Sequence, residues 1–249
     1  MQVRILGSGT LVPEAGRATS GLLVRGRGQE IPIDLGRGVL MRMAEAGLEP
    51  LELDHFFLTH LHADHSSELV SLLFALPRAR RSKAPVHVYG PPGLGDLTDR
   101  IFAAWPSMDS AQALEIVEST GGILLDAALR LSARPVHHGQ HAALGFRVED
   151  TASGRSMAFT GDSTAGPELL ALARGVDLLV AECGDGLEPR GRGHLDAAAL
   201  VELARTAGVG RVVVTHVEAG TDRAALMRRL REELGESVME ATDSLEIEV

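Results

Sequence analysis

The sequence predicts a layered protein in which β-sheets are covered by helices, and two observations support this prediction. Short runs rich in Val, Ile and Leu recur along the chain between Gly, Pro, Asp or Ser residues, as is typical of strands. Other runs have apolar residues every three or four positions, as in helices that pack one face against a sheet. Strands are consecutive in the first half, whereas strands and helices alternate in the second. This order leaves both α/β and α+β arrangements open.

The individual elements follow from these patterns. Strands are predicted at residues 3–6, 21–24, 30–33, 55–59, 86–89, 114–117, 129–136, 145–149, 156–160, 176–181, 212–215 and 245–249. Helices are predicted at residues 38–46, 67–75, 167–174, 195–207 and 223–234. Their ends carry the expected signals, because Pro167 stands where a first helical residue should, and Gly47, Gly175, Gly208 and Gly235 follow helix ends.

The composition is that of a folded, acidic protein. Hydrophobic residues make up 45% and charged residues 23%, which argues against wholesale disorder. The 24 Lys and Arg against 34 Asp and Glu give a net charge of −10, which argues against broad, non-specific nucleic-acid binding. A local basic groove remains compatible with that charge. No repeat or long linker divides the chain, so residues 1–249 are expected to form one domain.

A cytoplasmic location without membrane association is expected. Cys183 is the only cysteine and cannot form an internal disulfide, which suits a reducing compartment. The first residues lack the charged and apolar regions of a signal peptide. The longest apolar stretch, residues 69–77, is too short to span a bilayer.

Four potential metal ligands lie in one short segment after a predicted strand: His60, His62, Asp64 and His65. In an extended segment the first two side chains point the same way, and the other two then turn into the next helix. Imidazole and carboxylate ligands suit Zn²⁺, and also Fe or Mn, without thiolates. A polar loop or a purely structural metal site is the alternative. Three histidines and an aspartate in six residues favour a metal site.

This H-x-H-x-D-H pattern resembles the signature of the metallo-β-lactamase superfamily, and further motifs resemble its ribonuclease Z-like branch. The matching segments, in order, are Leu6-Gly7-Ser8-Gly9-Thr10 with Arg17 and Ser20, Asp34-Leu35-Gly36, Val88-Tyr89-Gly90-Pro91, Val136-His137-His138 with Gly145-Phe146-Arg147, Gly161-Asp162-Ser163 and Thr215-His216. The resemblance covers nearly the whole chain. It implies an α+β fold, a four-layer αββα sandwich of two mixed β-sheets flanked by helices, with a dinuclear metal site on one edge.

The resemblance also implies a ligand set for two divalent ions, with Zn²⁺ expected and Mn²⁺ or Fe as alternatives. One ion is assigned His60, His62 and His138; the other is assigned Asp64, His65 and His216; and Asp162 bridges them. Three ligands for each ion leave open positions for a shared water, as a catalytic site requires. Asp64 is also a candidate to orient that water or accept its proton.

Two assignments have explicit alternatives. His137 and His138 point to opposite faces of a strand, so only one can face the metals; the family pattern favours His138. For Asp162 the alternative is a simple turn aspartate.

Glu182 and His194 form a second candidate pair. Glu182 ends a predicted strand and His194 begins a predicted helix, and both positions resemble ribonuclease Z-like residues thought to support proton delivery to the leaving oxygen. A carboxylate-oriented imidazole is a sound general acid, because histidine titrates near neutrality. The alternative is a helix-capping histidine with an unrelated glutamate.

Several other side chains have a structural and a functional interpretation. A cluster of basic residues follows the second predicted helix, and two arginines precede His194. For both groups we favour a solvated loop, with phosphate binding as the alternative. The residues concerned are Arg78, Arg80, Arg81 and Lys83, then Arg190 and Arg192. A solvent-exposed loop position is favoured for His141. Cys183 is expected to be a small buried residue rather than a nucleophile.

The resemblance implies a metal-dependent hydrolase, with phosphodiester hydrolysis by metal-bound hydroxide as the leading activity. Ribonuclease Z grips tRNA with a long Gly-rich and basic arm, which the short interval between Pro91 and Leu114 does not contain. With the acidic charge, this favours a small-molecule or short nucleic-acid phosphodiester, smaller than tRNA, or an RNA 3′ end. Hydrolysis of a lactone or other carboxylic ester is the main alternative. An iron-dependent oxidoreductase and a non-catalytic scaffold rank lower, and related proteins suggest a homodimer.

Overall fold

The computed structural model describes residues 1–106, 114–191 and 193–249. In this described part, the first sheet contains β1 (Gln2–Gly7), β2 (Gly21–Gly26), β3 (Gln29–Ile33), β4 (His55–Phe57), β5 (Val86–Gly90), β6 (Leu114–Glu118) and β14 (Glu246–Glu248). The second sheet contains β7 (Gly122–Leu125), β8 (Leu129–His138), β9 (His141–Asp150), β10 (Ser156–Phe159), β11 (Leu178–Glu182), β12 (Arg211–Thr215) and β13 (Val238–Glu240). The α-helices are α1 (Val39–Glu45), α2 (Ala63–Ser66), α3 (Glu68–Ala79), α4 (Leu94–Ala104), α5 (Pro167–Ala173), α6 (Ala197–Ala207) and α7 (Arg223–Leu234).

Both sheets are mixed and have related strand orders. The first runs β14-β1-β2-β3-β4-β5-β6, antiparallel up to β3 and parallel from β3 to β6. The second runs β13-β12-β11-β10-β9-β8-β7, parallel from β13 to β10 and antiparallel from β10 to β7. In the parallel part of the second sheet, Glu182 pairs with Thr215. This register brings Glu182 beside the residue that precedes His216.

The main core lies between the two sheets. Phe57 from β4 stacks on Tyr89 from β5, with ring centroids 4.7 Å apart, and meets the edge of Phe146 from β9 at 6.2 Å. Helices α1, α3 and α4 cover the outer face of the first sheet, and α5, α6 and α7 cover that of the second. The layers are therefore αββα, and the expected α+β fold with two mixed sheets is confirmed.

Most predicted elements are present, with differences at their ends. Helix α6 begins at Ala197, two residues later than expected, because Asp196 is its N-cap and accepts a 2.8 Å hydrogen bond from the Ala199 amide. Strand β8 continues to His138 instead of ending at Val136. Helix α4 and strands β7 and β13 were not predicted. Gly95 and Asp96 interrupt the helical signal in α4, and the two short strands carry little alternation.

Among the described helices, none combines the length and apolarity needed to cross a membrane. The organisation of residues 1–249 as one domain stays a prediction.

Candidate metal centre

The H-x-H-x-D-H segment occupies the turn between β4 and α2. The strand ends at Phe57, and Asp64 and His65 fall in the first turn of α2, which begins at Ala63. His60, Asp64 and His65 are buried, whereas His62 is partly exposed. The change from strand to helix within a few residues thus brings the side chains of one short segment to a common point.

A first cluster is formed by His60, His62, His138 and Asp162, which come from both sheets. One nitrogen or oxygen from each of them lies within 4.8 Å of the others. His138 stands at the end of β8 and is buried, whereas His137 is exposed and points to the opposite side of the strand. Of the two adjacent histidines, the structure brings His138 to the cluster.

A second cluster contains Asp64, His65 and His216, whose potential ligand atoms also lie within 4.8 Å of one another. His216 follows β12 in a left-handed backbone conformation, with φ of 50°. Its Nε2 is 3.2 Å from Oδ2 of Asp64. Asp162, His194 and His216 form a third group within the same distance limit.

Asp162 belongs to the first cluster and also faces the second. Its Oδ1 is 3.3 Å from Nε2 of His65, and its Oδ2 is 3.7 Å from Nε2 of His60 and 3.5 Å from Nε2 of His216. The side chain is almost completely buried. A single carboxylate therefore faces histidines of both clusters, which is the position that a bridging ligand requires.

Contacts with the protein leave Nε2 of three histidines directed toward the centre. Nδ1 of His138 donates to the Gly193 carbonyl at 2.9 Å, and Nδ1 of His65 donates to Asp34 at 2.6 Å. Nδ1 of His60 lies 3.1 Å from Oγ1 of Thr59. Fixing one ring nitrogen on the protein orients the other as a metal ligand.

The unpartnered atoms fit divalent ions. Nε2 of His60 and Nε2 of His65 are buried and have no hydrogen-bond partner among the described residues. Nε2 of His138 faces Nδ1 of His62 at 3.3 Å. Buried polar atoms normally have partners, and nitrogen and carboxylate oxygen are suitable donors for Zn²⁺. The residues present therefore fit the binding of divalent metal ions.

The electrostatics differ between the clusters. Burial lowers the pKa of His60, His62 and His138, so these rings are neutral, as metal ligands must be. Burial opposes protonation of His65 and His216 as well, but the nearby carboxylates together outweigh it and raise the pKa of both. Asp162 acts on both rings, assisted by Asp34 at His65 and by Asp64 at His216. Asp162 itself is buried, yet the surrounding histidines hold its pKa well below the usual range. In this second cluster a metal ion would take the place of the protons.

Asp34 is a site residue to which the sequence reasoning gave no role. It is completely buried and takes up a left-handed conformation with φ of 65°. Its carboxylate accepts hydrogen bonds from Ser20, Thr59 and His65. The Asp-x-Gly segment was the available signal, but the sequence does not show which histidine the carboxylate contacts.

Glu182 and His194 are in contact. Oε1 of Glu182 is 3.3 Å from Nδ1 of His194, and the same carboxylate accepts hydrogen bonds from the amides of Ser163, Gly184 and Leu195. Burial would lower the pKa of His194, but the hydrogen bond and charge of Glu182 outweigh it and raise the pKa to about 9. The cap of α6 is Asp196, so the capping interpretation of His194 is wrong.

Four of the metal-ligand candidates line an open cleft of about 420 Å³: His62, Asp64, Asp162 and His216. One wall is formed by residues of the loop after β1, and Glu218 and His194 contribute to the rim. Among the described residues that line this cleft there is no lysine or arginine. Arg190 lies beside it, with its guanidinium 3.7 Å from Glu218.

The remaining candidates lie elsewhere. The guanidinium of Arg80 is buried against Asp54 and the carbonyls of Leu51 and Leu53, so its role is structural. Arg78 packs over the ring of Phe74. Arg192 lies outside the described residues.

Cys183 and His141 lie beside the residues of the candidate site. The side chain of Cys183 is buried, and burial raises the pKa of its thiol, which makes it a poor nucleophile. His141 is exposed as expected, but it is the first residue of β9 and not part of a loop. Its ring centroid is 4.3 Å from that of His62.

The fold, the histidine and aspartate clusters and the similarity to known proteins together define a metal-dependent hydrolase. The sequence profile of the beta-lactamase superfamily domain matches residues 33–217. The ribonuclease Z of Mycobacterium sp. (strain KMS) is 33% identical over 240 residues, covering 87% of this chain and 84% of that protein. The chain thus belongs to the metallo-β-lactamase superfamily and, within it, to the ribonuclease Z-like branch.

Solved structures share the fold over almost the whole chain. The metallo-beta-lactamase fold protein YhfI from Bacillus subtilis has a TM-score of 0.84 at 21% identity and covers 99% of this chain and 98% of that one. Human tRNase Z, short form, has a TM-score of 0.79 at 24% identity, covering 100% of this chain and 99% of that one. At these identities the likeness concerns the architecture.

Proposed function

We propose that the protein is a dinuclear metal-dependent phosphodiesterase. The observation that carries this proposal is the position of Asp162, whose two carboxylate oxygens face histidines of both clusters. One ion is assigned to His60, His62 and His138, the other to Asp64, His65 and His216, with Asp162 shared. Zn²⁺ is the favoured metal by similarity to the family, and the imidazole and carboxylate ligands are compatible with Zn²⁺ as well as with Mn²⁺ or Fe. Two such ions would lower the pKa of a shared water and polarise a phosphoryl oxygen.

His194 is proposed to protonate the leaving oxygen. Glu182 holds Nδ1, which leaves Nε2 as the nitrogen available to the cleft. The carboxylate keeps the ring in one orientation and favours its protonated form, as a general acid needs. Asp64 is proposed to combine a ligand role with orientation of the attacking water, since its carboxylate lines the cleft and contacts His216.

A substrate smaller than tRNA, or an RNA 3′ end, is favoured. The similarity to ribonuclease Z supports an RNA-type phosphodiester. The net charge of −10 argues against a large folded nucleic acid as the substrate, and so do the short loops near the candidate metal centre. Two residues join β8 to β9, and α4 occupies most of the described part of the interval between Pro91 and Leu114. Residues 107–113 of that interval lie outside the described residues. The cleft volume also falls within the range of small-molecule sites.

Turnover of bis(p-nitrophenyl) phosphate tests the proposal. Protein stripped of metal should be inactive, and Zn²⁺ or Mn²⁺ should restore release of p-nitrophenolate. The matched control is the Asp64→Ala variant, which should stay inactive after the same treatment. Absence of activity with both metals would contradict the phosphodiesterase proposal.

Hydrolysis of a lactone or another carboxylic ester is the second candidate. The observation that favours it is the lack of a lysine or arginine among the described residues lining the cleft, together with aliphatic side chains on one wall. Assaying aryl acetates and γ-lactones beside the diester decides between the two. Metal analysis of the isolated protein tests iron chemistry, and the complete ligand set argues against a non-catalytic scaffold.

Location and assembly remain predictions. The single cysteine suits the cytoplasm. A homodimer is expected by similarity, and light scattering of the purified protein measures it.

A further inference from the structure

Two neighbouring aliphatic side chains are exposed at the mouth of the metal cleft. Leu11 is 61% exposed and Val12 is 56% exposed, and both line the cleft together with Asp64, His194 and His216. Scattered exposed apolar residues are normal on protein surfaces and need no explanation. Leu11 and Val12 differ from such scattered residues, because they are adjacent and line the same cleft as four metal-ligand candidates. Small-molecule sites are typically lined by apolar side chains with a few polar groups.

The loop that carries this pair is anchored at both ends. The Gly9 amide donates to the Ala18 carbonyl at 2.8 Å. The Ser8 amide and the Ala18 amide donate to the carboxylate of Asp243 at 3.0 and 2.7 Å.

The middle of the loop is anchored as well. Glu14 makes a two-point ion pair with Arg223, at 2.8 and 2.6 Å. Arg17 donates to Ser8 and Glu240. Leu11 and Val12 therefore lie, exposed to solvent, in a loop whose flanking residues are held by hydrogen bonds and ion pairs.

We infer that Leu11 and Val12 form an apolar subsite for a ring substituent on the phosphoryl group, of the size of a phenyl group or nucleobase. This inference rests on the proposed function and names its substrate class: small phosphodiesters with an aryl or nucleoside group next to the bond that is hydrolysed. The metal centre would take the phosphoryl oxygens, and the ring would cover the aliphatic pair. Among the described residues that line the cleft there is no lysine or arginine to bind the substrate by charge. Contact of the ring with Leu11 and Val12 would then supply part of the binding affinity.

Two phosphonates that differ only in this substituent provide the test. Phenylphosphonate and methylphosphonate both present the charged head group, but phenylphosphonate alone can cover the aliphatic pair. Binding of each to the zinc-loaded protein is measured by calorimetry, which does not depend on turnover. The wild-type protein should prefer phenylphosphonate by roughly tenfold, from about 50–60 Å² of apolar surface removed from water.

The double variant Leu11→Ser, Val12→Ser should lose most of this preference while its affinity for methylphosphonate stays unchanged. Met41→Ser is the matched control, because Met41 is equally exposed at 66% but lies on α1, outside the cleft. It should keep the wild-type preference. Thermal unfolding of each variant verifies that the fold is retained.

The failures are distinguishable. A double variant that still prefers phenylphosphonate, or a wild-type protein without preference, overturns the subsite even if bis(p-nitrophenyl) phosphate is hydrolysed. A protein that prefers phenylphosphonate but hydrolyses no diester retains the subsite and loses the phosphodiesterase proposal.

Discussion

The carboxylate of Asp34 accepts a 2.6 Å hydrogen bond from Nδ1 of His65, and this contact determines which ring nitrogen of His65 faces the candidate metal centre. Nε2 is then directed at Asp162, 3.3 Å away. Asp34 is in turn held by Ser20 and by the amide and hydroxyl of Thr59. Residues from three different parts of the chain therefore orient one ligand.

Replacing Asp34 tests the importance of this orientation. Asp34→Asn keeps the size and tolerates the left-handed backbone, but its amide can donate to His65 and favour the wrong tautomer. We expect metal affinity to fall about 10- to 100-fold. Competition with a chelator measures the affinity, with Asp126→Asn as the control, since Asp126 pairs with Arg130 at the surface. Equal affinities of the two variants would contradict the orienting role.

Removal of the shared carboxylate should change the metal stoichiometry. Asp162→Ala is expected to bind fewer than two ions per chain, because each cluster loses a ligand and the repulsion between the two ions is no longer offset. Elemental analysis after dialysis gives the stoichiometry. If the variant kept both ions and full activity, Asp162 would not be a bridging ligand.

The proposed general acid predicts a dependence on the leaving group. His194→Ala should retain metals but slow hydrolysis of diesters with alkyl leaving groups by roughly 10²–10⁴-fold. The loss should be much smaller with p-nitrophenolate, which departs without a proton. His137→Ala is the matched control, because His137 is exposed on the opposite side of its strand from His138. A uniform loss for all leaving groups would assign His194 a structural role.

Cys183 should be inert in the folded protein. Its side chain is buried, and burial raises the pKa of the thiol, so little thiolate forms at neutral pH. We expect no reaction with a disulfide reagent under native conditions and one thiol per chain after unfolding in urea. Rapid labelling of the native protein would show that the region around β11 opens readily.

The pair formed by Asp150 and Arg27 predicts a loss of stability in acid. Nε of Arg27 lies 3.2 and 3.0 Å from the two carboxylate oxygens, and this contact holds the pKa of Asp150 below its usual range. A lowered folded-state pKa stabilises the protein above about pH 4, where the unfolded carboxylate is ionised, and this contribution is lost as the pH falls further. Thermal unfolding of Asp150→Asn should differ most from wild type at neutral pH and converge with it in acid. A constant difference across the pH range would contradict this explanation.

Local sequence determined a large part of both the fold and the candidate site. His60, His62, Asp64 and His65 are adjacent in the chain, and any strand-to-helix turn brings them together. Asp162 and His216 follow apolar strands of the parallel part of the second sheet, whose ends meet at one edge, so their convergence could be predicted. Most strands could also be predicted from runs of apolar residues, because a strand that is buried on both faces of its sheet has apolar side chains at consecutive positions.

Tertiary structure alone decided the remaining relationships. The choice of His138 over His137 depends on the register of β8 against β9, in which His138 pairs with His141, and a shift of one residue would exchange their faces. The contacts of Asp34 with His65 and of Glu182 with His194 join residues that are distant in sequence or separated by an irregular loop, where no periodic pattern applies. The exposure of Leu11 and Val12 depends on anchors near the opposite end of the chain, Arg223 and Asp243. The periodicity of apolar residues in the sequence indicates which side chains share a face of one helix or strand. The contacts described above depend instead on how separate helices, strands and loops pack against one another.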